Sequence, residues 1–194
     1  MAKGRDSGMP SVDVWESFFE PGAILDALGC ARISGDAVEF GCGYGTFTIA
    51  AARRVTGAVL ALDIDPVMVR VTAARAEDAL ARNIIVEERD FVAAGSGRPD
   101  GSAACAILFN ILHIENPMDL LREAHRILRN GGTAAAIHWR HNIETPRGPP
   151  LEIRPRPEQC AAWAEQAGFR ARDGILDLPN SPWHWGMRFE KAVN

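Results

Sequence analysis

Glu39-Phe40-Gly41-Cys42-Gly43-Tyr44-Gly45-Thr46 sets three glycines at alternate positions, behind a short apolar run and ahead of a helical one. A glycine has no Cβ, so it can turn tightly and let a ligand lie against the main chain. A helix opening at that point also offers amide groups and the positive end of its dipole. These are the parts of a nucleotide site at the carboxyl edge of a sheet. The glycines read GxGxG, with Thr46 where a dinucleotide fold prefers the last glycine of GxGxxG. That spacing weakens a nicotinamide-dependent oxidoreductase, which stays as the alternative beside a cofactor-binding module without catalysis of its own. Glu39 stands just before the loop in a buried strand, an unusual position for a carboxylate. Asp63 ends the next apolar run, where an acid accepts hydrogen bonds from ribose hydroxyls. Asp90 ends the third. Helix capping competes for both acids, and Asp65, directly before Pro66, reads as a cap.

His113 is the leading general base. It lies a few residues beyond the fourth apolar run, at the same edge, and histidine titrates near neutral pH. Packing beside Asn116-Pro117 is its competing role. His138 and His141 have HxxH spacing, but residues three apart on a strand face opposite ways, so no metal site is expected. Arg140 and Arg147 could hold an anionic substrate. Trp15 and Phe18, with Phe19, precede the sheet at helical spacing, as core or as part of a substrate wall.

Positioning these residues requires a sheet. Ala37–Phe40, Ala58–Leu62, Ile84–Val86, Ala103–Phe109 and Thr133–Trp139 read as strands. Thr46–Arg54, Pro66–Ala81 and Pro117–Leu128 read as helices between them. Alternating strands and helices predict a parallel sheet with right-handed crossovers. The pattern then breaks: 143–157 reads as a loop and Pro157–Gly168 as a last helix. Ala171–Leu178 and Trp183–Lys191 form a hairpin that adds an antiparallel strand near one edge. The whole is an α/β, Rossmann-like, seven-stranded sheet, mostly parallel, with helices on both faces. One domain spans 1–194: a flexible lead (1–10), an N-terminal helical cap (11–29), a cofactor-binding core (36–140), and a C-terminal helix and hairpin (157–191). Within the cap, Ser11 is expected to cap a first short helix that Pro21-Gly22 ends, with a second over Ala23–Leu28.

The 194 residues are enough for a core without staples. A net charge of −4 argues against non-specific nucleic-acid binding. The four cysteines, Cys30, Cys42, Cys105 and Cys160, show no CxxC pair and suit a reducing cytoplasm. No signal peptide is read at the N-terminus, and no apolar run of membrane length is present.

Taken in order, these motifs resemble those of the class I S-adenosylmethionine-dependent methyltransferases over about residues 36–140. Val38–Gly45 resembles the family's first motif, which implies that Gly41, Gly43 and Gly45 pass under the methionine part of the donor, with Glu39 near its amino group or the loop amides. Leu62-Asp63-Ile64-Asp65 resembles the second, implying Asp63 and Ile64 at the ribose. Arg89-Asp90-Phe91 resembles the third, implying Asp90 and Phe91 at the adenine. Phe109-Asn110-Ile111-Leu112-His113 resembles the segment bordering the methyl group. Leu121–Gly132 resembles the helix and glycine turn before the fifth strand. The resemblance implies S-adenosylmethionine as cofactor and a small-molecule acceptor, with no membrane partner. Asn110 is not followed by Pro-Pro-aromatic, so methylation of a base's exocyclic amine is disfavoured. No cysteine follows a proline, which disfavours carbon-5 methylation of pyrimidines.

Overall fold

The computed structural model describes residues 9–193. β1 (Ala37–Phe40), β2 (Val59–Asp63), β3 (Ile84–Glu88), β4 (Ala103–Phe109) and β5 (Leu128–Trp139) are parallel, in the spatial order β3-β2-β1-β4-β5. β6 (Phe169–Ala171), β7 (Leu176–Asp177) and β8 (His184–Lys191) complete the sheet. β8 pairs antiparallel with β5, and β6 and β7 pair with the far side of β8. The sheet is seven strands wide, because β6 and β7 are two pieces of one expected strand. Asp173-Gly174 breaks it, since glycine has no side chain to hold a strand together.

β1, β2 and β4 are buried along their whole length, as strands covered on both faces must be. The helices α2 (Pro21–Ala27) and α3 (Thr46–Ala52) cover one face, with Ile24, Leu25, Phe47 and Ala51 against Ile107 and Ile137. On the other, α6 (Pro117–Ile127) and α7 (Pro157–Gln166) set Leu121, Ala124, Cys160 and Ala164 against Leu108 and Ala136. α4 (Pro66–Asp78) lies along β2 and β3, and the single turn α5 (Phe91–Ala94) precedes β4. No helix among the described residues is long and apolar enough to cross a membrane.

Three expectations are corrected. Pro21 opens α2 instead of ending α1 (Val12–Glu16), because its fixed φ and missing N–H suit a first helical turn. Ser11 precedes α1 without a side-chain capping bond. Asn130-Gly131-Gly132 does not separate α6 from β5. It is a bulge inside a longer β5: Ala103 pairs Leu128 and Cys105 pairs Thr133, so the extra residues loop out, with Gly131 at φ +72.

Glu123 on α6 ties the loop before β4 to the helix face. Its Oε1 accepts from the Ser96 N–H at 2.7 Å and the Ser96 hydroxyl at 2.6 Å, and Arg126 donates to the same carboxylate while also reaching Asp100. Burial pushes this carboxyl up, but the bonds from Arg126 and Ser96 prevail and hold it near 2. Its folded value is depressed, so its contribution is complete above its ordinary 4.5 and fades as pH falls toward about 2. Glu123→Ala is expected to cost roughly 1.5–3 kcal/mol at neutral pH, the range for hydrogen bonds to charged groups. In urea unfolding, the gap between variant and wild type should shrink at about pH 3. An equal gap at both pH values would show that the carboxylate charge does not hold this loop.

Candidate active site

The strand order reverses direction at β1 and β4. β1 is followed toward β2, and β4 toward β5, so the segments leaving them diverge to opposite faces. A crevice opens between them at the carboxyl edge, where open α/β sheets bind ligands. The cleft found there has about 800 Å³ not filled by protein, part of it open to solvent. Glu39, Gly41, Cys42 and Gly43 line it from β1, Asp63 and Ile64 from β2, and Asn110, Ile111 and His113 from β4. Trp15, Phe47, Phe91 and Phe109 supply apolar walls.

The glycine loop is held from the end of β2. Gly41 and Cys42 donate to the Leu62 carbonyl at 2.8 and 2.9 Å. Gly43 donates to Asp63 Oδ2 at 2.8 Å, and Asp65 donates to Asp63 Oδ1 at 3.0 Å. Gly41 and Gly43 sit at φ +80 and +53, conformations that favour glycine. Thr72 of α4 donates to the Gly43 carbonyl at 2.8 Å, fixing the loop from a third side. Asp63 is only 8% exposed, and burial pushes its carboxyl upward against the pull of those backbone amides.

Glu39 is buried and accepts a hydrogen bond from the Thr48 hydroxyl of α3. Burial drives its carboxyl from 4.5 up to about 8, with Thr48 opposing and Asp63 adding to the rise. It is therefore mostly protonated at neutral pH. Asn110 lies at φ +54, and neither its Oδ1 nor its Nδ2, both buried, has a hydrogen-bond partner. His113 Nδ1 lies 3.2 Å from His138 Nε2, and burial lowers its proton affinity.

The structure thus gathers Glu39, Gly41, Gly43, Asp63, Ile64, Phe91, Asn110, His113 and Trp15 around one cleft. Four expected residues stand outside its lining. Gly45 caps α3 in the left-handed conformation, against Thr72. Asp90 caps α5 by accepting from the Ala93 N–H at 3.0 Å. Phe18 is core, edge-on to Trp139 at 5.3 Å, because α1 is too short to turn it toward the cleft alongside Trp15. Arg140 is committed to Asp177 and the Pro182 carbonyl in a separate surface hollow. Arg147 is likewise absent from the lining. His138 does not pair with His141; its Nε2 meets His113.

Met9, Thr46, Phe47, Phe109 and Ile111 also line the cleft without having been singled out as site residues. Phe109 and Ile111 flank Asn110, so their neighbourhood was the available signal. Met9 fell within the expected flexible lead. The rest of that lead lies outside the described residues, but Pro10 is tied down by the Tyr44 hydroxyl, which donates to its carbonyl at 2.6 Å.

A family profile described as a methyltransferase domain matches residues 37–132. The fold is shared with a SAM-dependent methyltransferase from Aquifex aeolicus, 20% identical with a TM-score of 0.78, over 91% of this chain and 92% of that one. The cyclase SpnF is 16% identical with a TM-score of 0.74, over 90% and 80%. A geranyl diphosphate methyltransferase solved with SAM is 14% identical with a TM-score of 0.69, over 98% and 96%. At such identities the likeness is one of fold. The comparison with curated proteins finds no match.

The burial of Glu39 has a consequence for stability. A carboxyl whose folded value is raised binds its proton more tightly in the folded state, so folding weakens as pH rises from about 4.5 to about 8. Glu39→Gln keeps the shape and removes the ionisation. Its denaturant midpoint, measured against pH, is expected to fall less over that window than the wild type's. Parallel profiles would mean that Glu39 ionises freely in the fold.

Proposed function

The chain belongs to the class I S-adenosylmethionine-dependent methyltransferases through its methyltransferase domain at residues 37–132, and from that premise we propose that it methylates a small, largely apolar molecule bearing no negative charge. The observation that carries this is the lining of the cleft. Trp15, Phe47, Phe109 and Ile111 surround one amide without a partner among the described residues and one imidazole, and no lysine or arginine is among the described lining residues. An anionic acceptor would enter beside the Asp63 carboxyl with no cationic side chain among the described lining residues to offset its charge. The net charge of −4 disfavours a nucleic-acid acceptor. The nicotinamide alternative loses its support to the family assignment.

The residues present fit the donor. A Cβ built on Gly41 or Gly43 would lie 3.5 Å from Ile111 or 3.2 Å from Met9, so a side chain at either position would fill the cleft floor. Asn110 has hydrogen-bonding capacity that no other described residue uses. In this reading Gly41 and Gly43 carry the methionine part, Asp63 with Ile64 the ribose, and Phe91 the adenine end, with Asp90 bracing the turn that presents it. Glu39 faces the donor's amino group.

S-adenosylmethionine supplies a methyl group on a positively charged sulfur, open to in-line attack by an electron pair of the acceptor. The protein's part is to exclude water and hold the acceptor in line, a contribution of roughly 7–11 kcal/mol at best. Trp15, Phe47 and Phe109 form the dry wall. His113, neutral at neutral pH because burial depresses its proton affinity, takes a proton where the acceptor must lose one. Turnover therefore rises with pH through a value below histidine's ordinary 6.5 and stays level above it.

Calorimetry with S-adenosylhomocysteine tests the donor site. Gly43→Val is expected to abolish binding in a folded protein. Asp63→Ala should weaken it roughly tenfold or more, as the loss of hydrogen bonds to a charged group requires. A 2′-deoxyribose analogue should lose little further affinity in that variant. If the two losses add, Asp63 serves only to brace the loop.

A panel of neutral, cationic and anionic acceptors tests the class. Productive turnover confined to anionic acceptors would overturn it. With an acceptor found, His113→Ala should lower turnover by roughly 10²–10⁴-fold while donor affinity holds. Unchanged turnover would leave alignment alone to account for the reaction.

A further inference from the structure

The cleft imidazole is not alone. His113 Nδ1 meets His138 Nε2 at 3.2 Å, and His138, 0% exposed on β5, lies beneath it with its ring stacked near Trp185. Two nitrogens facing each other at that distance share one hydrogen, so one ring donates and the other accepts. The other nitrogen of His138 settles which. His138 Nδ1 lies 3.4 Å from the Trp139 carbonyl, an oxygen that can only accept. A lone pair turned toward that oxygen would be repelled, so the hydrogen of a neutral His138 belongs on Nδ1 and its Nε2 must accept.

From this geometry we infer that His138 is a positioning residue: it receives the hydrogen on His113 Nδ1 and thereby leaves the bare lone pair on His113 Nε2. That nitrogen is the ring's remaining polar atom, on a residue that lines the cleft. The inference rests on the reading of His113 as proton acceptor, for it supplies the tautomer a base there needs. The charged and titratable neighbours keep His138 neutral. Burial opposes its protonation, and the Coulombic effects of His113, His184 and Arg154 do the same. Its own β5 neighbour Trp139 is apolar and lies tilted against His184, with ring centroids 4.0 Å apart. The acids that line the same cleft, Glu39 and Asp63, come from β1 and β2. A protonated His138 would have no lone pair to offer and would release the His113 ring.

The full chain with ¹⁵N-labelled histidines tests this by long-range ¹H–¹⁵N spectroscopy, above the ordinary titration range of histidine. The expected spectrum gives His113 a protonated Nδ1 and a bare Nε2, and gives His138 the same tautomer. A protonated His113 Nε2 in the wild type overturns the inference without any variant. His138→Phe should release His113, moving its two nitrogen shifts toward each other as the tautomers mix. His138→Gln puts an amide oxygen where Nε2 was and should restore the wild-type pattern. Unchanged His113 shifts in a folded His138→Phe protein would equally overturn the inference. If the spectra behave as expected while His113→Ala keeps full turnover, His138 still orients the ring and it is the base reading that fails.

Discussion

The carboxylate of Asp63 accepts the N–H of Gly43 with one oxygen and that of Asp65 with the other. This is the contact on which the rest of the site depends. It joins the end of β2 to the loop that ends β1, two strands already in register from Ala37 against Val59 to Phe40 against Leu62. Together with the Leu62 carbonyl, which takes two more amides of the same loop, it spends the loop's donors on its neighbour strand. A glycine-rich loop is costly to order, because glycine loses the most conformational freedom on folding. Three hydrogen bonds to an adjacent strand end offset that cost and leave the loop's concave side open to a ligand.

From that anchor the remaining geometry follows by topology. β1 and β4 lie side by side, but their following segments leave toward opposite faces of the sheet. The residues after β1 and those after β4 therefore meet across a gap that neither helix layer fills. Asn110 begins the far side of that gap in a left-handed conformation rare for a residue with a Cβ. Strain of this kind is retained where surrounding structure fixes it, and it clusters at working sites. The short helix α1 brings Trp15 over the gap, and Glu16 secures that helix by pairing with Arg75 of α4.

Much of this was legible in the residues. The strands and helices from Ala37 to Trp139 follow from apolar runs broken by glycine, proline and aspartate, because strands buried on both faces carry little else. Gly41, Gly43, Asp63 and Asn110 stood out because each departs from that pattern at a strand end. What escaped depends on contacts between distant segments. Glu39 meets Thr48, nine residues on and across a strand–helix turn, and no periodicity shows that pairing. His138 reads as one half of an HxxH pair, yet on a strand its partner is set by the neighbouring strand's exit, and that is His113. Arg140 and Phe18 were misjudged for the same reason: residue type suggested a substrate role, while the hairpin and α1 had already committed them to Asp177 and Trp139. The strand break at Asp173-Gly174 is present in the residues, but the alternation from Phe169 to Leu178 reads through it.

The cleft and the loop at α6 treat buried charge in opposite ways. Glu123 is supplied with Arg126 and two donors from Ser96, so it stays ionised well below the usual carboxylate range. Glu39 is given burial, a single hydroxyl and a neighbouring carboxylate, Asp63, so it keeps its proton to about pH 8. The first arrangement builds structure, and the second holds a capacity in reserve. A cation that arrives beside Glu39 favours its ionised form, and the proton it sheds is released on binding. Burial likewise holds His113 and His138 below the ordinary histidine range, so both imidazoles are neutral at neutral pH. A ligand without a positive charge would meet a protonated Glu39 and gain nothing from its ionisation.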